Sequence, residues 1–211
     1  GVELGEIVSP FPQALTITAL GGSSSTGEQG LEAELVAFNS LSALRQAPRR
    51  QVEGKIVFID EVMVRSRDGS GYGAAVQKRR ATAYVSHQMG AVAALIRSVG
   101  TSSHRFAHAG QMRQADAVGD SGVPMAALAA PDADQLTRAL AYGKPVTVKL
   151  VITPQLLPPA ISGNVIGEII GRDAPQEIVL VGAHLDSWDL GTGAVDDGAG
   201  IDIVLGAAKL I

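Results

Sequence analysis

A segment near the end of the chain gives the strongest indication of the fold class. Residues 178–205 read IVLVGAHLDSWDLGTGAVDDGAGIDIVL. The first four residues are apolar on both faces, which is typical of a central strand covered by helices on each side. A polar, glycine-rich loop follows from His184 to Gly200, and apolar residues then recur at helical spacing from Ile201 onward. Strand, loop and helix in this order predict an open α/β sheet, which binds ligands beyond the carboxyl ends of its strands.

The loop concentrates side chains that bind metal ions. It carries His184 and four carboxylates, those of Asp186, Asp189, Asp196 and Asp197. Carboxylates this close repel one another unless a cation or protons neutralise them, and imidazole and carboxylate together suit zinc. Asp196 can return to His184 because glycines lie between them, and Asp186 is close enough to fix the orientation of the imidazole. We therefore predict a metal site with His184 and Asp196 as ligands.

Each feature of the loop also has a simpler interpretation. A histidine after a strand is usually an ordinary polar loop residue, and Asp-Asp-Gly alone is usually a turn. Asp196 and Asp197 could also start the following helix, where acidic side chains meet the positive end of its dipole. The combination on one strand-loop-helix unit is what favours the metal site.

Upstream, strand and helix patterns alternate. Two helices are predicted, at 72–90 and 132–142, and strands are predicted at 2–8, 15–20, 35–38, 54–60, 91–96, 123–128 and 146–152. Three prolines between Thr153 and Pro159 predict a linker, and two further strands are expected after it, at 164–170 and 177–183. The glycine- and serine-rich loop 21–27 lacks the lysine of a P-loop, so we predict a plain turn there.

Composition narrows the function classes. Hydrophobic residues make up 46% and charged residues 18%, which is enough apolar material for a packed core. The net charge of −4 and the absence of a basic stripe argue against nucleic acid as a partner. The chain has no cysteine, which excludes disulfides and thiolate metal sites. No apolar run approaches the roughly 18 residues of a membrane span, so no membrane partner is expected. Both ends of the chain resemble cuts within a longer protein.

Two motifs in the loop carry a family resemblance. GAHLDSWD at 182–189 and GAVDDGAG at 193–200 resemble the first metal-binding stretch of the co-catalytic zinc exopeptidases, which are of aminopeptidase and glutamate carboxypeptidase type. The Asp-Ser-Trp-Asp continuation is most similar to the carboxypeptidase Q branch. Five upstream motifs resemble the protease-associated domain of the same branch: LGGS at 20–23, GKIV at 54–57, GAVAALIRSV at 90–99, HAG at 108–110 and VP at 123–124.

The resemblance implies roles for three loop residues. His184 would ligate one zinc, and Asp196 would bridge two zinc ions. Asp186 would be the catalytic residue, and it would support His184. A glutamate pair, an aspartate and a second histidine would complete the site downstream of Ile211. By this resemblance the peptide bond between Asp196 and Asp197 would be cis in a complete family site, but in this chain we expect it to be trans or the loop to be disordered. The remaining histidines, at 87, 104 and 108, are expected to be structural or surface groups.

The resemblance also implies a domain organisation and a fold class. We expect an α/β protein in which a β-rich protease-associated domain with helices, residues 13–155, is inserted into a truncated zinc-peptidase sheet. Residues 1–12 would form the N-terminal edge of the peptidase domain, and residues 156–211 would form its first part.

The implied function is that of part of a secreted or periplasmic zinc metallopeptidase, with two Zn²⁺ ions per complete site, that hydrolyses the terminal bonds of small peptides. The chain alone is expected to be inactive and to self-associate or retain a missing C-terminal half. A non-catalytic protease-associated interaction module is the alternative.

Overall fold

The computed structural model describes residues 1–112 and 122–211 of the chain. The chain divides into two compact units, Gly1–Leu156 and Leu157–Ile211. The described part of the first unit forms one sheet of eight strands in the order β2-β1-β8-β4-β5-β6-β7-β3. The strands are β1 Glu3–Ser9, β2 Gln13–Leu15, β3 Ile17–Ala19, β4 Leu31–Phe38, β5 Ile56–Ile59, β6 Ala93–Arg97, β7 Met125–Leu128 and β8 Thr147–Ile152.

The centre of the sheet is parallel. Strands β4, β5, β6 and β7 run in one direction, whereas β8 and β3 join this block as antiparallel neighbours. Every residue of β5, β6 and β7 is buried, which is the pattern of strands that are covered on both faces. The predicted strands in the first unit are confirmed in type, with boundaries that shift by a few residues, except for the strand predicted at 15–20.

Helices cover both faces of these strands. On one face, α1 (Leu41–Gln46), α2 (Arg49–Val52) and α3 (Ser70–Gln88) enclose an apolar cluster that includes Leu44, Val57 and Ile96. On the other face, α4 (Ala130–Ala141) packs Leu136 against Phe58 in a second cluster. The two predicted helices are confirmed as α3 and α4. The proline in the first turn of α4 has a φ angle suited to a helix start, and Gly143 follows its end at a φ of 71°.

The sheet curls until its two ends meet. The predicted strand 15–20 is instead two short strands, because the Thr16 N–H donates to the Asp132 carboxylate (2.7 Å) and leaves the ladder. Strands β2 and β3 therefore lie at opposite ends of the strand order although one residue separates them. The Glu3 carboxylate spans the remaining gap, accepting from the Ala19 N–H (2.7 Å) and from the Thr18 hydroxyl (3.1 Å).

The serine-rich loop 21–27 lies between β3 and β4 and is hydrogen-bonded to two other strands. The Ser23 hydroxyl accepts from the N–H of Met125, the first residue of β7 (2.8 Å). The Thr26 hydroxyl accepts from the Ile152 N–H (2.9 Å) at the end of β8. These hydroxyls tie the loop to two strand ends, in agreement with the predicted plain turn.

The second unit contains no strand. Its helix α5 spans Ala199–Leu210 and follows an irregular wide turn, Ala194–Gly198. The predicted strands 164–170 and 177–183 are wrong, because neither segment has backbone pairing with any other segment. A strand is stabilised by neighbouring strands, and the apolar side chains that motivated the prediction are instead exposed, Ile178 at 83% and Leu180 at 88%. The expected peptidase sheet is thus not formed in this unit.

No helix among the described residues is long and apolar enough to cross a membrane. Strand β1 comes from the segment that we assigned to the peptidase domain, and it is hydrogen-bonded to β2 and β8 of the first unit. The assignment of residues 13–155 to a protease-associated domain and of residues 1–12 and 156–211 to a peptidase domain stays a prediction.

Candidate metal site

His184 and Asp196 meet in the loop that precedes α5. The His184 Nε2 atom lies 2.9 Å from the Asp196 Oδ1 atom, although twelve positions separate the two residues. The sequence predicted this pairing, and the structure brings the two side chains into direct contact. Both are accessible, with His184 51% and Asp196 76% exposed.

The other ring nitrogen of His184 faces Asp186. The Nδ1 atom lies 2.9 Å from the Asp186 carbonyl oxygen and 3.0 Å from its Oδ1 atom. A hydrogen bond from Nδ1–H to an oxygen fixes the tautomer in which Nε2 carries the lone pair, and it fixes the orientation of the ring. Both Asp186 oxygens therefore lie within hydrogen-bond distance of the imidazole, and the role of Asp186 as a supporting residue stays a prediction.

Asp197 anchors the same histidine through the backbone. Its Oδ2 atom accepts from the His184 N–H (3.2 Å). Sequence reasoning counted this carboxylate in the cluster but gave it no role, and its position next to Asp196 was the only available signal. Asp189, the fourth carboxylate of the loop, makes no hydrogen bond or ion pair in the described residues.

Glycines allow the loop to fold back on itself. Gly193 has a φ of 70° and its carbonyl accepts from the Gly198 N–H (2.8 Å), which closes the turn that carries Asp196. At Gly200, a Cβ atom would collide with the Asp197 carboxylate. A side chain at Gly193 would be strained at its positive φ and would meet the Ser187 side chain, whereas a side chain at Gly200 would displace the Asp197 carboxylate.

The peptide bond between Asp196 and Asp197 is cis. The expectation of a trans bond in this chain is wrong. It assumed that contacts from outside the loop were needed, whereas the loop's own hydrogen bonds between His184 and the two aspartates hold these residues in place.

The surrounding oxygens change the ionisation of His184. Hydrogen bonding to the Asp186 carbonyl, with smaller contributions from the Asp196 hydrogen bond and from the charges of Asp186 and Asp197, raises the pKa of His184 above its ordinary value. The imidazole is thus surrounded by negative charge and carbonyl dipoles, which favour a cation.

The donor chemistry of the pair fits zinc, but the donor number is low. Two ligand atoms at about 2.0–2.2 Å from a tetrahedral zinc lie about 3.3–3.6 Å apart, so the 2.9 Å distance between His184 Nε2 and Asp196 Oδ1 would need to increase by roughly half an ångström. Zinc takes four ligands in most structural sites. Within residues 1–112 and 122–211, no group of three or more histidine, aspartate or glutamate side chains is arranged to hold a metal ion.

The other histidines belong to the first unit, whereas this loop belongs to the second. The His108 Nδ1 atom is 3.0 Å from the Val99 carbonyl oxygen, and the His108 N–H donates to the Ser98 hydroxyl (2.9 Å). His104 lies beside the Phe106 ring, with 6.2 Å between ring centroids. Both are surface or structural groups, as predicted.

Comparison with known proteins agrees with the motifs in the loop. Residues 164–211 match the family described as Peptidase family M28. The whole chain is 35% identical to carboxypeptidase Q of Xenopus laevis and 36% identical to that of Bos taurus, and it covers 43% of each. This chain is homologous to the peptidases of family M28. The predicted resemblance to the carboxypeptidase Q branch is confirmed.

A solved structure from family M28 shares the fold of this chain. A peptidase M28 precursor from Shewanella amazonensis SB2B is 46% identical, with a TM-score of 0.93 over 99% of this chain and 47% of the other. The chain therefore spans less than half the length of the family M28 relatives that it matches. The mixed α/β fold with its nearly closed sheet is thus shared with a peptidase of this family.

Proposed function

We propose that this chain is part of a zinc-dependent metallo-exopeptidase that hydrolyses the terminal peptide bonds of small peptides. The observation that carries the proposal is the 2.9 Å approach of the His184 Nε2 atom to the Asp196 Oδ1 atom within a family M28 match. The names of the relatives, which include carboxypeptidase Q, support an exopeptidase.

Three side chains would act at the metal. His184 would bind it through Nε2, Asp196 would bind it through a carboxylate oxygen and bridge to a second Zn²⁺, and Asp186 would hold the imidazole through Nδ1. When bound, zinc polarises a scissile carbonyl and lowers the pKa of a water molecule. Asp197 would hold the His184 backbone by accepting a hydrogen bond from its N–H, so that Nε2 stays directed at Asp196.

The larger organisation belongs to the same proposal. Residues 13–155 would form a protease-associated domain that restricts access to the site and influences the length of substrate that is accepted. Residues 1–12 and 156–211 would belong to the peptidase domain, and the whole enzyme would act outside the cytoplasm, in a secreted or periplasmic location.

Zinc binding is the direct test of the site. Titration of the chain with Zn²⁺ against a chromophoric chelator should give weak binding that His184→Ala and Asp196→Asn each reduce by about tenfold or more. His104→Ala is the matched control, because it removes an exposed histidine of the first unit and should leave the affinity unchanged. Equal affinity in all four proteins would refute the assignment of His184 and Asp196 as ligands.

The non-catalytic alternative is tested on the whole protein. A protein that includes this chain and the remaining length of its relatives should cleave a dipeptide panel in the presence of zinc and lose activity on His184→Ala. An intact protein that binds zinc but cleaves no member of the panel would favour an interaction module over a peptidase.

A further inference from the structure

A short segment between β5 and α3 is held against the start of that helix. The segment comprises residues 61–66 and is termed the strap. The Val64 carbonyl oxygen lies so close to Gly71 that a Cβ atom there would collide with it. The Gly71 N–H donates to the Ser66 hydroxyl (3.0 Å), and the Met63 side chain packs against three buried apolar residues. These are Ala75, Val76 and Val99. The strap therefore has a defined position on α3.

Few contacts would have to break for the strap to open. In the part of the chain that the structure describes, no backbone hydrogen bond joins residues 62–65 to another residue. Val62 and Val64 are 65% and 72% exposed, whereas Met63 packs into the apolar cluster. A segment with little buried apolar surface and few backbone hydrogen bonds opens locally at a lower free energy than the strands of a core. The strap can thus open while the sheet stays intact.

The strap carries the acceptor of a buried ammonium group. Lys78 is fully buried on α3, and its ammonium donates to the Glu61 carbonyl oxygen, at the start of the strap. No carboxylate among the described residues forms an ion pair with this ammonium. Burial of an ammonium whose partner is a neutral carbonyl is costly, and it favours the uncharged amine. Access of water to Lys78 would remove this cost.

Three charged groups act on Lys78 from the neighbouring elements: Asp60 and Glu61 after β5, and Arg97 on β6. The Asp60 carboxylate already accepts from the Arg97 guanidinium (2.6 Å) and from the Thr137 hydroxyl (2.6 Å). Burial is the largest effect and lowers the pKa of Lys78 to about 8. The Glu61 and Asp60 charges oppose this lowering, and the Arg97 charge adds to it. Lys78 is therefore charged at neutral pH and largely uncharged above about pH 9.

We propose that the strap is a proton-dependent conformational device, which opens when Lys78 is protonated and closes over it when the proton is lost. When the strap lifts, the Glu61 carbonyl leaves the ammonium and water takes its place. An uncharged Lys78 needs no such hydration, and its amine can still donate to the Glu61 carbonyl. Because the open form holds the proton more tightly than the closed form, the open population falls as the pH rises. Neither the His184 loop nor a metal ion is involved, so the proposed peptidase function does not depend on this device.

Trypsin can measure the open population through the peptide bond between Arg65 and Ser66. A protease binds several extended residues around the bond that it cuts, so Met63 and Ser66 must first leave α3. Arg67→Gln is introduced into every protein tested, which leaves Arg65 as the only basic residue between β5 and α3. At a low trypsin concentration, the initial rate of cleavage is proportional to the population of the open form. Mass spectrometry of short digests gives this rate for each site.

The cleavage rate at Arg65, divided by the rate at Arg172, should fall about tenfold between about pH 7 and about pH 9. Arg172 is the internal control for the pH dependence of trypsin, because its side chain is 90% exposed in the second unit. The magnitude follows from the pKa of Lys78, which is about 8 in the closed form and has its ordinary value of 10.5 in the open form.

Two variants test whether Lys78 is the group that titrates. Lys78→Met and Lys78→Gln remove the amine, so the ratio of the two rates should be independent of pH in both. Circular dichroism checks that the variants fold. The fall in the ratio for the protein that keeps Lys78 is measured without either variant, so the test stands even where a variant does not fold.

Three results would overturn the proposal. The first is a ratio of the Arg65 rate to the Arg172 rate that is constant from about pH 7 to about pH 9 while Lys78 is present. The second is the same fall in that ratio in a folded Lys78→Met or Lys78→Gln protein. The third is cleavage at Arg138, within α4, at the same rate as at Arg65, which would mean that the strap opens only when the whole first unit unfolds.

Discussion

Lys78 is expected to make the free energy of unfolding of the first unit increase at alkaline pH. Its side chain is completely buried on α3, and its ammonium donates to the Glu61 carbonyl. Burial lowers the pKa of Lys78 from 10.5 to about 8, against the opposing effect of the Glu61 charge. The positive charge of Arg97 adds to the lowering.

The sign of the effect follows from which state holds the proton. Between about pH 8 and pH 10.5, the unfolded chain keeps a proton on Lys78 that the folded chain has released. The free energy of unfolding therefore rises with pH across this window. Below it, Lys78 is charged in both states and the full cost of burying the charge applies. One pKa unit corresponds to about 1.4 kcal/mol, so the whole shift amounts to about 3 kcal/mol.

Lys78→Met removes the titrating group while keeping much of its volume. Urea unfolding followed by far-ultraviolet circular dichroism, from about pH 7 to about pH 10.5, gives the free energy of unfolding of both proteins. The difference between the unaltered chain and Lys78→Met should shift by about 3 kcal/mol in favour of the unaltered chain as the pH rises. Taking the difference removes the contributions of all other titrating groups that the two proteins share.

Lys144→Met is the control, because Lys144 is exposed. Its curve should run parallel to that of the unaltered chain through the whole range. Parallel curves for Lys78→Met as well would refute the reasoning, since they would mean that Lys78 releases its proton at the same pH in the folded and unfolded chains.

Three further predictions concern packing, activity and association. Leu136→Ala removes a buried side chain of α4 and should lower the free energy of unfolding by about 2–5 kcal/mol in a urea titration. An unchanged free energy of unfolding would contradict this and would mean that the surrounding side chains fill the cavity. This chain with added zinc should not cleave a dipeptide panel, and turnover that a chelator abolishes and that co-elutes with the chain would contradict this. Ile178→Ser with Leu180→Ser removes apolar surface that is 83% and 88% exposed and should shift the chain toward monomer in analytical ultracentrifugation; an unchanged distribution would place any association elsewhere.

Local signals in the sequence identified the elements whose causes are local. The proline and glycine that bracket α4 set its two ends, because each favours the φ angle required there. The unbroken apolar run of β5 indicated a strand that is covered on both faces, and all four of its residues are buried. His184 and Asp196 were predicted to meet because glycines in one short loop allow the chain to turn back, and they do so at 2.9 Å.

Features that depend on distant partners were not predictable from the sequence. Thr16 interrupts a strand-like run because its N–H meets a carboxylate that lies 116 positions away. The runs at 164–170 and 177–183 have the composition of strands but no neighbour to pair with, so composition alone gave the wrong answer there.

Local preferences of this protein could be predicted from its amino-acid sequence: the apolar strands, the helix ends, and the loop in which one histidine and two aspartates can converge. The closure of the sheet through Glu3, the pairing of the strands and the burial of Lys78 beside Glu61 depend on tertiary contacts. Propensity and periodicity act over a few residues, whereas pairing and burial depend on which distant segments the folded chain brings together.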